Sequence, residues 1–319
     1  MDIDAVITWV DGNDPKFRKR RNSYLSAARE DKFQDIGGDQ RFVQSDEIKL
    51  CVASIIRFAP FIKRIFIITD GQIPDISDFL TKNFGEDYPE VNFVDHHDIF
   101  VKNSSLLPVF NSLSIESMMS NIPGLSQRFV YFNDDFFLLN PIKSTDWFTP
   151  MGIPIVYASI WPTWVLRVLR YLKPRKHGHK VFGFKDSMLN AALITGSQTV
   201  PVITHTPHAM LKSGCQAMLR RYSGSVMKNV AHRFRHPSQF NPQVLYYLTQ
   251  PVEFRNSKSV RVFLKPQKGR HGYIKRKLKE MDRKSDKLKF GCINSVEQMS
   301  FQDKKLFENW ICRRLNIKL

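Results

Sequence analysis

The sequence predicts an α/β protein with a mostly parallel sheet, followed by a more helical and strongly basic C-terminal portion. Three observations lead there. Over the first 140 residues, short β-branched runs alternate with segments of helical period, the pattern of strand–helix–strand units. Three of the expected strands end on acidic residues, Asp11, Asp70 and Asp134 with Asp135, and parallel sheets collect ligands beyond the carboxyl ends of their strands. Charge is divided unevenly: residues 1–159 hold 16 basic and 22 acidic side chains, residues 160–319 hold 32 and 8. The second half, net +24, points to an anionic partner.

At 319 residues, with 42% hydrophobic and 24% charged residues, the chain can bury a core unaided. That excludes a disordered chain, a collagen-like chain and a disulfide-held miniprotein. Cys51, Cys215, Cys292 and Cys312 show neither CxxC pairing nor metal-ligand spacing, which favours a reducing compartment. The N-terminus enters a strand at once and no apolar run reaches 18 residues, so neither a signal peptide nor a spanning helix is expected. These features predict a cytoplasmic protein, resting at most peripherally on the inner membrane.

Taken in order, Ala5–Val10 is a buried-type strand stopped by the turn cluster Asp11-Gly12-Asn13-Asp14-Pro15. Ser45 can cap a helix running to about Phe58, with Ile48, Val52, Ile55 and Ile56 on one face. Arg64–Thr69 is a second strand, Val91–Val94 a short third, Ser112–Ser120 a helix and Arg128–Phe132 a further strand. Thr163–Lys173 is amphipathic and basic, suited to a membrane interface or, more commonly, to packing on a core. Lys265–Lys289 carries 11 basic residues in 25 positions and reads as a basic loop or helix.

Phe132-Asn133-Asp134-Asp135 sets adjacent carboxylates at a strand end. Such a pair suits Mg²⁺ or Mn²⁺, hard cations that share their coordination with substrate phosphates; the bland alternative is an Asx turn with two solvated carboxylates. His205 and His208 follow the apolar run Val200–Ile203, and His232 and His236 flank Arg233 and Arg235. A near-neutral imidazole can take a proton from a hydroxyl, and Arg can grip a phosphoryl group. Zinc on His205 and His208 lacks a nearby Cys or carboxylate to complete the site.

Five segments, Ile3–Pro15, Leu107–Glu116, Ile122–Leu138, His205–Leu211 and Lys289–Asn294, resemble in order the conserved blocks of the Stealth family. That family holds bacterial capsular polysaccharide phosphotransferases and the catalytic subunit of lysosomal-enzyme N-acetylglucosamine-1-phosphotransferase. The resemblance implies a phosphotransferase of GT-A-like, Rossmann-like fold. Its reaction moves a hexose or N-acetylhexosamine 1-phosphate from a UDP-sugar to a glycan or lipid-linked glycan hydroxyl, releasing UMP. By the same analogy Thr8, Trp9, Val10, Asp11, Gly12, Asp14, Asn111 and Ser112 bind the nucleotide-sugar. Asp134, Asp135 and Asn294 hold Mg²⁺ or Mn²⁺, His205 is the base with His208 as its rival, and Arg235 and Asp135 act on the phosphate. Residues 1–159 would then bind nucleotide-sugar and metal, and residues 160–319 would complete the site and bind acceptor, as one continuous catalytic domain.

The sequence departs from the family's blocks at two places. Ser295 follows Asn294 where an acid is usual, and Ala53 stands where Arg precedes Ser-Ile, with Arg57 as the candidate replacement for a phosphate contact. At 319 residues no additional acceptor-recognition domain is expected. Two other functions fit the residues: a metal-dependent glycosyltransferase releasing UDP, and a non-enzymatic binder of anionic polymer or membrane. No nucleic-acid-binding motif is visible, so nucleic acid is not an expected partner.

Overall fold

The computed structural model describes residues 2–28, 46–176, 179–180, 182–270 and 272–319. Ser45, the expected helix cap, lies outside the described residues. Five strands form the central sheet, in the order His208–Leu211, Arg128–Asn133, Ile3–Thr8, Ile62–Thr69 and Glu90–Asp95. All pair in parallel except the edge strand His208–Leu211, which runs antiparallel to its neighbour. The first strand begins two residues earlier than its apolar run and stops at Thr8; Trp9 N–H still donates to Ile68 O at 3.0 Å.

Both faces of this sheet are covered, which is why its strands read as continuous apolar runs. Ala5, Ile7, Ile65, Ile67, Val130 and Phe132 face one core, with the helix Glu47–Phe58. Val6, Phe66, Ile68, Phe129 and Tyr131 face the other, beneath the helices Ser112–Met118, Phe184–Thr195 and Pro242–Thr249. The Glu47–Phe58 helix buries its expected stripe and also Leu50, Cys51, Ala53 and Ser54. The strand Phe136–Leu138 closes its far side, where Leu138 N–H donates to Ser54 Oγ at 2.9 Å.

The two halves of the chain share their sheets. The strand Ile155–Pro162 runs through the 159/160 division, between Glu253–Arg255 and Thr199–Ile203. Phe136–Leu138 pairs with Phe290–Ile293, which pairs in turn with Arg261–Leu264. Within the basic run, Tyr273–Arg283 is a helix that buries Tyr273, Ile274, Leu278 and Met281.

The helix Thr163–Tyr171 buries only Thr163 and Leu166 fully. Trp164, Val168, Leu169 and Tyr171 stay exposed, as does Leu172 just beyond its end, so it packs by a narrow edge. Among the described residues no helix is long and apolar enough to cross a membrane. All four cysteines are free thiols.

Candidate active site

A cavity of about 380 Å³ opens at the carboxyl end of the central parallel strands. Thr8, Trp9 and Val10 line it from the first strand, Asn133, Asp134 and Asp135 from the fourth. The neighbouring elements contribute Asn111, Ser112, His205, His208, Arg235 and Asn294. Eleven residues singled out by sequence thus share one cavity, although they lie up to 286 positions apart.

Three do not line it. Asp11 N–H donates to Gln72 Oε1 at 2.8 Å, and Gln72 Nε2 donates back to Asp11 O at 3.0 Å and to Asp14 Oδ2 at 3.1 Å. Arg18 Nε donates to Gly12 O at 3.1 Å. Asp11, Gly12 and Asp14 are therefore spent on fixing the turn that starts the helix Pro15–Ala28, which the sequence reading did not anticipate. Asp70, the third strand-end acid, is buried against Arg20 and also stands outside the cavity.

Asp135 is a buried carboxyl that its surroundings keep from ionising. Burial, and then the charge of Asp134, push its carboxyl up to about 8. Its Oδ2 accepts from Cys292 Sγ at 3.3 Å, while its Oδ1 is buried without a partner. Ile293 N–H donates to Asp135 O at 3.1 Å, and this bond brings Asn294 to the same corner. Adjacent carboxylates with an unpartnered buried oxygen and an amide alongside fit a hard divalent cation, which favours oxygen donors. Among the described residues no three His, Cys, Asp or Glu side chains converge as a metal site, so any further ligands would be amide, water or phosphate oxygens.

Ser295 follows with φ 64°, a left-handed backbone, and does not line the cavity. Arg57 does not replace the missing phosphate contact. Its Nε donates to Leu315 O at 2.9 Å and its guanidinium lies over Phe84, so it ties down the C-terminal helix instead. Ala53 is completely buried in the core, where an Arg would find no water.

Arg235 is delivered by a laced loop. Its Nη2 donates to Ser112 Oγ at 2.8 Å. Asn111 Nδ2 lies within reach of Gln239 Oε1 at 2.7 Å, Phe234 O at 3.2 Å and His232 O at 3.3 Å, while its Oδ1 caps the Ser112–Met118 helix. Asn111 therefore holds the arginine loop, its side chain already engaged. His232 and His236 stack on each other outside the cavity, with ring centroids 4.3 Å apart.

His205 lies flat against Phe263, centroids 4.3 Å and planes 5° apart, with Phe184 roughly parallel at 6.1 Å and Phe136 edge-on at 6.3 Å. Burial, helped by Arg261 and Lys265, lowers its pKa to about 4. His208 is fully enclosed beside Tyr131 and Tyr247, and burial lowers it to about 3. Both imidazoles are neutral near pH 7, the form that can accept a proton.

Sequence reasoning left Glu116, Tyr131, Asn133 and His96 without a role. Tyr131 Oη lies 2.9 Å from Thr8 Oγ1, 2.7 Å from Asn133 Oδ1 and 3.2 Å from Glu116 Oε1, making a buried polar floor. Burial raises the Glu116 carboxyl, against the pull of Gln243 and Arg235. The signal was present: a Glu on an apolar helix face and a Tyr inside an apolar strand are buried polar groups that need partners.

A five-stranded sheet with this cavity at its carboxyl edge defines the class: the fold is that of the GT-A glycosyltransferases. The solved structure of the bifunctional glycosyltransferase WbbM superposes with a TM-score of 0.52 at 10% identity, covering 97% of this chain and 49% of that one. The family follows from sequence. Stealth conserved region 1 matches residues 1–28 and conserved region 2 matches residues 41–156, and the chain belongs to the Stealth family.

Among its relatives, the capsular polysaccharide phosphotransferase WcwK of Streptococcus pneumoniae is 27% identical over 274 residues, 77% of each chain. The exopolysaccharide phosphotransferase SCO6021 of Streptomyces coelicolor is 31% identical over 258 residues, 77% of this chain and 43% of that protein. CpsY of Mycobacterium tuberculosis, also an exopolysaccharide phosphotransferase, is 40% identical over 153 residues, 48% and 27% of the two. The chain thus spans about two fifths of the length of its Streptomyces relative.

Proposed function

We propose that the protein is a polysaccharide phosphotransferase: it transfers a sugar 1-phosphate from a UDP-sugar to a glycan hydroxyl and releases UMP. One observation carries the reading. The cavity sets the Asp134–Asp135 corner, an arginine and a neutral histidine around a single space at the strand ends. The relatives' names support phosphate transfer in surface-polysaccharide synthesis.

On this reading Thr8, Trp9 and Val10 seat the nucleotide edge. Asp134, Asp135 and Asn294 would hold Mg²⁺ or Mn²⁺, which when bound offsets the charge of the diphosphate. Arg235, braced by Ser112, grips the phosphoryl group that carries the sugar and stabilises the charge spreading over its oxygens. His205 takes the proton of the attacking hydroxyl, an effect worth roughly 10²–10⁴-fold. The polar floor of Glu116, Tyr131 and Asn133 fixes the cavity wall. The acceptor is a glycan, free or lipid-linked, and the protein works in the cytoplasm, held to the membrane surface by the exposed face of the Thr163–Tyr171 helix.

The test is the nucleotide released when the protein is incubated with Mg²⁺, UDP-sugars and glycan acceptors. Acceptor-dependent UMP supports the proposal. UDP would replace it with glycosyl transfer to the anomeric carbon. Neither nucleotide, across a broad donor and acceptor panel, would leave a binding protein for anionic polymers.

A further inference from the structure

The strand Arg261–Leu264 carries two alternating faces. Val262 and Leu264 are buried in the core. Arg261 and Phe263 point the other way, and Lys265 continues that side just past the strand, residues on one face being about 6.6 Å apart. Phe263 is the ring that lies flat on His205 at 4.3 Å. The face therefore brackets His205 with a cation on either side.

These cations are short of counter-charge. Arg261 is half-buried, which costs a charged group, and among the described residues its side chain donates one hydrogen bond, from Nε to Ser257 Oγ at 3.1 Å. Lys265 is exposed, its backbone N–H held by Tyr273 Oη at 3.1 Å. Among the described residues neither forms an ion pair with a carboxylate. Both stand near enough to His205 to disfavour its protonation, yet neither lines the cavity that holds Asp134, Asp135 and Arg235. The strand thus offers a second anion-binding position, on the outer side of His205.

We propose that Arg261 and Lys265 form an acceptor subsite, which binds an anionic group next to the hydroxyl presented to His205. The inference rests on the proposed function and narrows its acceptor to an anionic glycan. A phosphodiester and a uronate carboxylate share the required chemistry. Loss of either cation should cost about tenfold in acceptor affinity, the worth of one hydrogen bond to a charged group.

The test compares binding of three matched disaccharides to the full chain by calorimetry: neutral, phosphodiester-linked and uronate-containing. At least one anionic disaccharide should bind about 10²-fold tighter than the neutral one, about tenfold from each cation, and the stronger of the two names the source. Lys265→Gln should erase about tenfold of that preference, and Arg261→Gln the same. If Arg261→Gln loses the fold with its Ser257 contact, the exposed Lys265→Gln still decides. Equal binding of all three, no binding of any, or a preference that survives Lys265→Gln overturns the subsite. Nucleotide release is scored separately: anion preference without UMP sinks the proposed function and leaves the subsite, whereas UMP without preference does the reverse.

Discussion

Arg235 donates to the Ser112 hydroxyl at 2.8 Å, a bond between residues 123 positions apart. It ties the arginine loop to the start of the helix beneath the cavity, and Asn111 adds its own bonds to the same loop. The arginine is placed by backbone and amide contacts around it, not by its own chain segment alone.

Replacing Asn111 with Ala leaves the buried acceptors Phe234 O and Gln239 Oε1 without this donor. The cost should be about 1–3 kcal/mol of stability by denaturant titration. Arg235→Ala should instead leave stability nearly unchanged and cut kcat by about 10²–10³-fold, read from nucleotide release. Similar stability losses in both variants would move Arg235 from phosphate binding to structure.

Asp135→Asn removes a carboxyl whose pKa burial and the neighbouring Asp134 raise to about 8. The variant should fold at least as stably as the parent without metal, and lose Mn²⁺ binding by roughly 10²-fold or more, followed by electron paramagnetic resonance. Unchanged Mn²⁺ affinity would take the metal away from this corner.

His96, His205 and His208 are held near 4, 4 and 3 by burial, below the ordinary histidine value of 6.5. The unfolded chain binds more protons than the folded one between those values and 6.5, so stability rises with pH through that window and is lost as pH falls. The melting temperature should drop from pH 6.5 to 4 as stability falls by on the order of 1–3 kcal/mol per histidine. Asp135 offsets part of this loss, because its carboxyl, raised to about 8, takes up a proton on folding across the same window. His205→Gln should flatten part of the histidine slope and slow transfer by roughly 10²–10⁴-fold while sparing UDP-sugar binding. Full activity in His205→Gln would pass the base to His208.

Trp164, Val168 and Leu172 repeat at four-residue spacing and are exposed. Vesicles rich in anionic lipid should pull the protein down in sedimentation, with tryptophan emission shifting to the blue. Trp164→Ser with Leu172→Ser should abolish both, and retained binding would relocate the contact to the basic helix Tyr273–Arg283.

The sequence alone determined the four parallel strands of the first 140 residues, the helices near Glu47–Phe58 and Ser112–Met118, the strand-end carboxylates and the family, because these depend on local period and contiguous motifs. The helices Pro15–Ala28 and Ser77–Phe84 and the short strand Phe136–Leu138 came only with the structure. The sequence also named eleven residues of the cavity, ten of them inside the five recognisable blocks and Arg235 from the Arg- and His-rich run between two blocks. Only the tertiary structure decided which of the first block face the cavity: Thr8, Trp9 and Val10 do, while Asp11, Gly12 and Asp14 turn to Gln72. It likewise turned Arg57 to the C-terminal helix, buried Leu50, Cys51, Ala53 and Ser54 beyond the expected stripe of the Glu47–Phe58 helix and set Phe263 against His205. Such pairings join residues tens to hundreds of positions apart, and no local pattern encodes them. They follow from how the sheets close on one another, where each buried polar group must find its partner.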